Sequence, residues 1–517
     1  MRISGWFRGF ALLLLALPAP GLAEPARLAL DPRGLEDFRS YTAVDGRVVF
    51  FGLFPAGSTP AGQAQCALWE IDPVTGAAEP LAKVCAGEGD FLDPNLRVIA
   101  DTGAVVFFAD SSGFLWRTDG TSAGTFPLRN VEIAPPSSPP GSSVLGPDGR
   151  TLFFSGCTPA AGCEPWRSDG TRQGTRPLGD LLGGAIGSNP THFTVAGGRV
   201  LFTVDGRIWS TGGTAADTVL LAQIPGASIQ GFLSQGSLIY FLALDRPGET
   251  VQVLETATGR VRRLASFPSD PRNTTVSLRV VAGRLLFVEF DPHGEAYRIW
   301  QVNGEQARPI GPPFDFTLGG DLSAVAGGRI VFAAARGTSS RQQLWALDPG
   351  TKKPHLLQGC PGGCPEPALA PAVVFDGRLY FAVLDAGQGF ELWTSDGTAQ
   401  GTRRFFKNLC PGPCASEPTP LRVALGRLLF SDGAGRLWAS DGTAAGTVRF
   451  AQAPFGPPSF VPLDFAEING RIVFTGLDPV SGPQPFRSDL TPEGTEPLST
   501  IGDGEHGREL WALPLPR

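Results

Sequence analysis

Four near-neighbour pairs of cysteine carry the plainest chemistry in this 517-residue sequence: Cys66/Cys85, Cys157/Cys163, Cys360/Cys364 and Cys410/Cys414. An even count in local pairs predicts disulfides formed in an oxidising compartment. The spacing at 360–364 and 410–414 would also suit zinc, but a second ligand pair would have to come from elsewhere in the fold. The four histidines, His192, His293, His355 and His506, share no metal-ligand spacing. Each is expected to be an ordinary strand or surface residue, which leaves histidine acid–base chemistry without support. Gly120-Thr-Ser122-Ala-Gly124 spells a serine-nucleophile string, yet its sister segments place Arg172, Ala399 or Ala444 where Ser122 stands. That motif also needs a strand–turn–helix setting, and a hairpin turn is expected here. Gly502-Asp-Gly504-Glu-His-Gly507 matches a dinucleotide fingerprint but leads into a strand-like segment, without a βαβ context. Asp119, Asp169, Asp396 and Asp441, each in an Asp-Gly-Thr phrase, have the hard oxygen chemistry of calcium ligands. One carboxylate per loop is sparse for that ion, so turn formation is the expected task. No catalytic residue, cofactor site or metal site is assigned.

The elements that would hold these residues are repeats. Nine of the ten tryptophans fall in one phrase that returns about every 45 residues, a period characteristic of repeat architectures. Its full form is Leu-Trp-Arg-Thr-Asp-Gly-Thr-Ser-Ala-Gly-Thr at 115–125, with close copies at 165–175, 392–402 and 437–447. Copies at 207–218 and 484–495 are partial, because Gly212-Gly213 and Leu490 interrupt the Asp-Gly pair. The expected repeat core is Trp69, Trp116, Trp166, Trp209, Trp300, Trp345, Trp393 and Trp438, each on a third strand and packed between neighbouring units. Upstream of each phrase lies a turn glycine, usually an arginine, then an apolar run ending in an aromatic. Examples are Gly46-Arg-Val-Val-Phe50, Gly149-Arg-Thr-Leu-Phe153 and Gly198-Arg-Val-Leu-Phe202, while Gly103 and Gly236 start copies without the arginine. Four short strands fit each unit; around Gly198 they are 192–196, 200–204, 207–210 and 219–223. The expected fold class is therefore all-β: a β-propeller of about ten four-stranded blades, in one large ring or two smaller ones.

With Glu391-Leu-Trp-Thr-Ser-Asp-Gly-Thr398 in view, the chain resembles the bacterial ELWxxDGT repeat proteins, and its units resemble kelch repeats in their order of turn, strand and aromatic. The resemblance covers nearly all of 24–517 and implies an exported propeller-like scaffold. It brings no catalytic residues with it.

Residues 1–23 read as a secretory leader, with Arg2 and Arg8 before the apolar run 10–17 and small residues ending at Ala23. Cleavage there would leave a secreted or periplasmic repeat array, 24–517. No later stretch is long and apolar enough to span a membrane. Losing two arginines moves the formal charge from −7 to −9, a balance that offers nucleic acid no basic footprint. Long proline-rich segments at 134–146, 359–370, 409–420 and 454–462 are the candidate binding loops. The expected function is a non-enzymatic binding or adhesion scaffold for a polysaccharide, an envelope component or an extracellular protein. The alternatives are a propeller-fold hydrolase or lyase acting on extracellular glycan, and a structural surface-layer role. The spare strand-like segments 26–30 and 509–511 are expected to pair or to complete a blade.

Overall fold

The computed structural model describes residues 38–498 except 55–64, 77, 86–95, 136–140, 246–247, 269–276, 282–283, 292–295, 304–305, 315–322, 335–342, 349–353, 359–366, 386–388, 406–421, 433–435, 452–464 and 479–481. The regular structure among these residues is forty strands and two single-turn 3-10 helices, Ala215–Asp217 and Ala326–Gly328. Eight sheets each hold four strands in sequence order. A ninth holds eight, because Phe126–Ile133 pairs with Leu152–Thr158. Divided at that link, the chain is ten consecutive four-strand units: 38–83, 97–133, 143–177, 191–223, 228–268, 277–314, 323–358, 367–404, 422–449 and 465–497. They are called units 1 to 10 below.

Unit 4 shows why these residues make these strands. Thr191–Ala196, Arg199–Val204, Arg207–Thr211 and Val219–Gln223 agree with the expected bounds to within a residue. Gly197-Gly198 and Asp205-Gly206 both take positive φ at their two positions, as two-residue hairpin turns require. Between them β-branched and aromatic residues alternate faces. Phe202 lies directly across from Trp209, and the same aromatic pairing recurs as Phe50 with Trp69, Phe108 with Trp116 and Phe381 with Trp393.

The aromatic marker needs correcting in three units. In unit 5 the turn is Gly236-Ser237, with glycine at the first position rather than the second. The buried ring facing unit 4 is then Phe241, one residue beyond Tyr240. Longer turns do the same in units 2 and 3, where Phe108 and Phe154 take the place counted to Phe107 and Phe153. A one-residue offset changes which face a side chain occupies, so the turn type and length set the phase of each unit.

The core lies between sheets. Val44 and Phe51 of unit 1 pack with Phe108 and Trp116 of unit 2, and an equivalent cluster joins each later unit to the next. A tenth cluster joins unit 10 to unit 1, with Ala466, Val473 and Leu498 against Tyr41, Phe50 and Trp69. There Tyr41 Oη and Thr475 Oγ1 share a hydrogen bond of 2.9 Å, and Arg487 Nη1 donates to the carbonyls of Pro73 and Val74. All eight expected core tryptophans face the preceding unit. Fully burying one such ring is worth roughly 2–3 kcal/mol. First strands lie beside first strands in several neighbouring units: Phe38–Val44 touches both Arg97–Asp101 and Phe465–Ile468, and Thr191–Ala196 touches both Ser143–Leu145 and Ser228–Gln235. This side of the sheets, where first strands meet, is called the convergent edge below. Segments 26–30 and 509–511 lie outside the described residues; units 1 and 10 each have four strands without them. No described helix is long and apolar enough to cross a membrane.

Candidate functional site

The most repeated polar constellation is the Asp-Gly-Thr turn, and its groups are occupied with one another. Asp119 Oδ1 accepts from the Thr121 backbone N–H at 3.1 Å and from the Thr121 hydroxyl at 2.7 Å. Thr121 Oγ1 in turn accepts from Gly124 N–H, while Thr118 and Thr125 hydroxyls meet at 2.7 Å. The set recurs around Asp169, Asp396, Asp441 and Asp489. Burial pushes the Asp119 carboxyl up, but the Thr121 donors and the Arg117 charge outweigh it and hold it below the ordinary range. Gly120 sits against Val44 and Arg47 of the preceding unit, as Gly397 does against Val325 and Arg329. The turn is thus a spacer between sheets, and Ser122 is an exposed member of it.

The arginine of the upstream marker clamps this turn. Arg378 donates to Thr394 Oγ1, Asp396 Oδ2 and the Gly401 carbonyl. Unit 2 has Val105 at that place, and Arg117 from the third strand reaches the Gly124 carbonyl and Asp119 instead. Sequence reading missed this exchange. It also missed the indole partners two residues beyond the buried ring of each second strand. Asp110, Glu289 and Asp432 accept from the Trp116, Trp300 and Trp438 N–H groups. Burial raises the Asp110 carboxyl against the pull of its Trp116, Phe114 and Ser112 hydrogen bonds.

One cluster stands apart from these structural tasks. His192 lies on the first strand of unit 4, at a bulge between Thr191 and Thr194, with φ 55°. Ser40 and Gly231 occupy the same bulge in units 1 and 5, with φ 60° in each. Left-handed backbone at a non-glycine residue costs about 1–3 kcal/mol and persists only where the surroundings impose it. Here a ring replaces small residues. His192 Nδ1 is 3.0 Å from Thr191 Oγ1 and 3.1 Å from Thr203 Oγ1, and those hydroxyls are 3.0 Å apart. Phe232 of unit 5 closes the other side, with ring centroids 6.3 Å apart. Burial lowers the imidazole pKa, which keeps it neutral and able to accept a proton at neutral pH. His192 is a strand residue, as expected; what sets it apart is the bulge, not residue spacing. His355 is exposed and near the Gly397 carbonyl, whereas His293 and His506 lie outside the described residues.

No family model and no curated protein matches the sequence. Among solved structures, the fold is similar to dipeptidyl peptidase 4 of Porphyromonas gingivalis, at 11% identity and TM-score 0.42 over 74% of this chain and 64% of that one. It is similar to a puromycin-hydrolyzing peptidase of Mycobacterium tuberculosis, at 15% identity and TM-score 0.33 over 82% and 61%. It is also similar to the computationally designed Ika8 protein, at 13% identity and TM-score 0.36 over 76% and 95%. The chain spans a little under two thirds of either peptidase, and at such identities the likeness is one of fold. The expectation of a non-enzymatic binding or adhesion scaffold is corrected to this extent: the two similar natural proteins named here are peptidases.

The remaining assignments sort by location. Cys66–Cys85 and Cys157–Cys163 are disulfides, compatible with an extracellular or periplasmic setting. Cys360, Cys364, Cys410 and Cys414 lie outside the described residues, as do 409–420, 454–462 and most of 359–370. Of 134–146, the ends are described and 136–140 are not.

Proposed function

We propose that this chain is an exported hydrolase of an extracellular polymer, built as one closed ring of ten blades, a β-propeller of the ELWxxDGT repeat kind. The support for a single ring is the tenth core cluster, which packs unit 10 on unit 1 as every other unit packs on its neighbour. The support for export is the leader-like segment 1–23 together with two disulfides. The hydrolase reading is carried by His192 between two threonine hydroxyls on the convergent edge.

A neutral imidazole within hydrogen-bond reach of a hydroxyl is the arrangement of a general base with its proton donor. In this reading His192 Nδ1 takes the proton from a water seated beside the Thr191 and Thr203 hydroxyls as that water's oxygen attacks an electrophilic carbon and the bond from that carbon to the leaving group breaks. The proton is then returned to the leaving group. The strained backbone presents the ring at the convergent edge, where the central channel would open.

Purified mature protein is incubated with envelope polysaccharide and, separately, with a mixed peptide library, and new reducing ends and new amines are followed. Product should accumulate with time and protein, and His192→Ala should lower the rate at least ~100-fold. The rate should fall on the acid side only below the ordinary histidine value of ~6.5, because burial lowers the pKa of this imidazole. No release from either substrate, or His192→Ala at the wild-type rate, overturns the reading; which product appears assigns the polymer.

A further inference from the structure

The segment that delivers Thr191 and His192 to the convergent edge is tied down one unit away. Glu164, on the third strand of unit 3, is 1% exposed. Its Oε1 accepts from Ser188 N–H at 2.8 Å, and its Oε2 accepts from the Ser188 hydroxyl at 2.7 Å and from Leu181 N–H at 3.0 Å. The next residue, Asn189, donates its N–H to the Cys163 carbonyl at 2.9 Å and takes φ 48°. Gly162 and Gly187 approach so closely that a Cβ on either would meet the other's backbone region. The Cys157–Cys163 disulfide braces the hairpin that bears these contacts. Pro190 is buried, and Thr191 and His192 follow directly.

A buried carboxylate needs this many donors simply to offset its lost hydration. Two of its three donors belong to Ser188, just before the histidine. An irregular segment between Leu178 and Thr191 would otherwise end at no fixed place, because ordering its backbone costs conformational entropy. A left-handed His192 in particular requires its approach to be constrained from both sides. Gly141 supplies one side, its carbonyl accepting from Phe193 N–H at 2.8 Å. Ser188 and Asn189, held by Glu164 and Cys163, supply the other.

We propose that Glu164 is a positioning residue for the Thr191–His192–Thr203 cluster, acting through Ser188 and Asn189 from the neighbouring unit. The proposal rests on the hydrolase reading only for its kinetic consequence; the placement of the imidazole is measurable without turnover.

The test is histidine-labelled NMR titration of the full mature chain, with His192→Ala assigning the resonance among four histidines. In Glu164→Ala the segment loosens, water reaches the ring, and the His192 titration should move up by ~0.5 unit or more, toward the ordinary value. Glu164→Gln keeps one acceptor oxygen and should fall between the two. If hydrolysis is observed, kcat should fall about tenfold or more with KM nearly unchanged, as for a group that acts only through geometry. A folded Glu164→Ala whose His192 titrates as in the wild type overturns the proposal and leaves Glu164 a loop anchor. Should Glu164→Ala fail to fold, Ser188→Ala, which removes one of the three bonds, is measured instead. It must move the titration in the same direction, and an unmoved resonance overturns the proposal equally. A wild type without turnover defeats the hydrolase reading and leaves the titration result to stand for itself.

Discussion

The residue two places beyond the buried ring of each second strand decides how costly the repeat tryptophan is to bury. Where it is acidic, as at Asp110, Glu289 and Asp432, the indole N–H has an acceptor. Val204 and Val383 hold that place in units 4 and 8, and there Trp209 and Trp393 have buried N–H groups with no partner among the described residues. The repeated tryptophan therefore serves chiefly as an apolar plate between sheets. Trp116→Phe should cost about 1–3 kcal/mol more than Trp393→Phe, because only the former breaks a buried hydrogen bond and leaves Asp110 Oδ2 without its indole donor. Denaturant melts of the two variants compare this directly; equal losses would mean the Asp110 contact contributes nothing net. The tryptophans could be found from sequence by their period. Their partners could not, because the partner is defined by cross-strand geometry.

At the scale of the element, the Asp-Gly-Thr turn shows one physical solution written in two ways. In unit 2 a Cβ on Gly124 would collide with the Asp119 carboxylate. In unit 4 the two residue types are exchanged: Gly212 stands where the aspartate was, and Asp217 fills the space from the far end. Asp217 Oδ1 accepts from the Gly212 and Thr214 N–H groups, and Thr218 Oγ1 still donates to Thr211 Oγ1. What looks in sequence like a damaged copy is a compensated one. Gly124→Asp alone should destabilise unit 2 by roughly 1–3 kcal/mol through overpacking, and Asp119→Gly alone by a similar amount through lost hydrogen bonds. Together they should recover most of that loss, since the two sites share one space and are not additive. A double-mutant cycle on thermal stability measures it; simple addition of the two costs would disprove the exchange. Leu490 is a third solution, with φ 68° at the glycine position and its side chain buried against unit 9.

For the whole molecule, the repeated turns make a collective prediction about acid. Hydrogen bonds hold Asp119, Asp169, Asp217, Asp396 and Asp489 below the ordinary value against their burial. A depressed folded pKa contributes stability that is complete above the unfolded value of ~3.9 and is lost as pH falls through the folded one. Asp110 and Glu249, raised by burial, have the opposite sign, but they are two groups against five. Melting temperature should therefore fall only slightly between about pH 6.5 and pH 5, where the lowered His192 pKa acts, and drop steeply below pH 4. The loss should be greatest in variants that keep every aspartate turn, and smaller when Asp119, Asp169 and Asp396 are replaced by asparagine. A flat profile down to pH 3 would show that these turns are not electrostatically tuned.

Local rules sufficed for much of this architecture. Turn glycines, alternating apolar runs and the returning tryptophan made ten four-strand units and the bounds of unit 4 legible, because hairpins are contacts between residues close in sequence. The cysteine pairs at 66/85 and 157/163 were legible for the same reason. Tertiary structure alone decided the packing of unit 10 on unit 1 and, within units, the phase shift at Gly236-Ser237 and the exchange of arginines over the turns. It decided the candidate site as well. His192, Thr203, Phe232 and Glu164 come from three units, and what distinguishes the histidine is a backbone angle imposed by its neighbours, which no spacing of residues encodes.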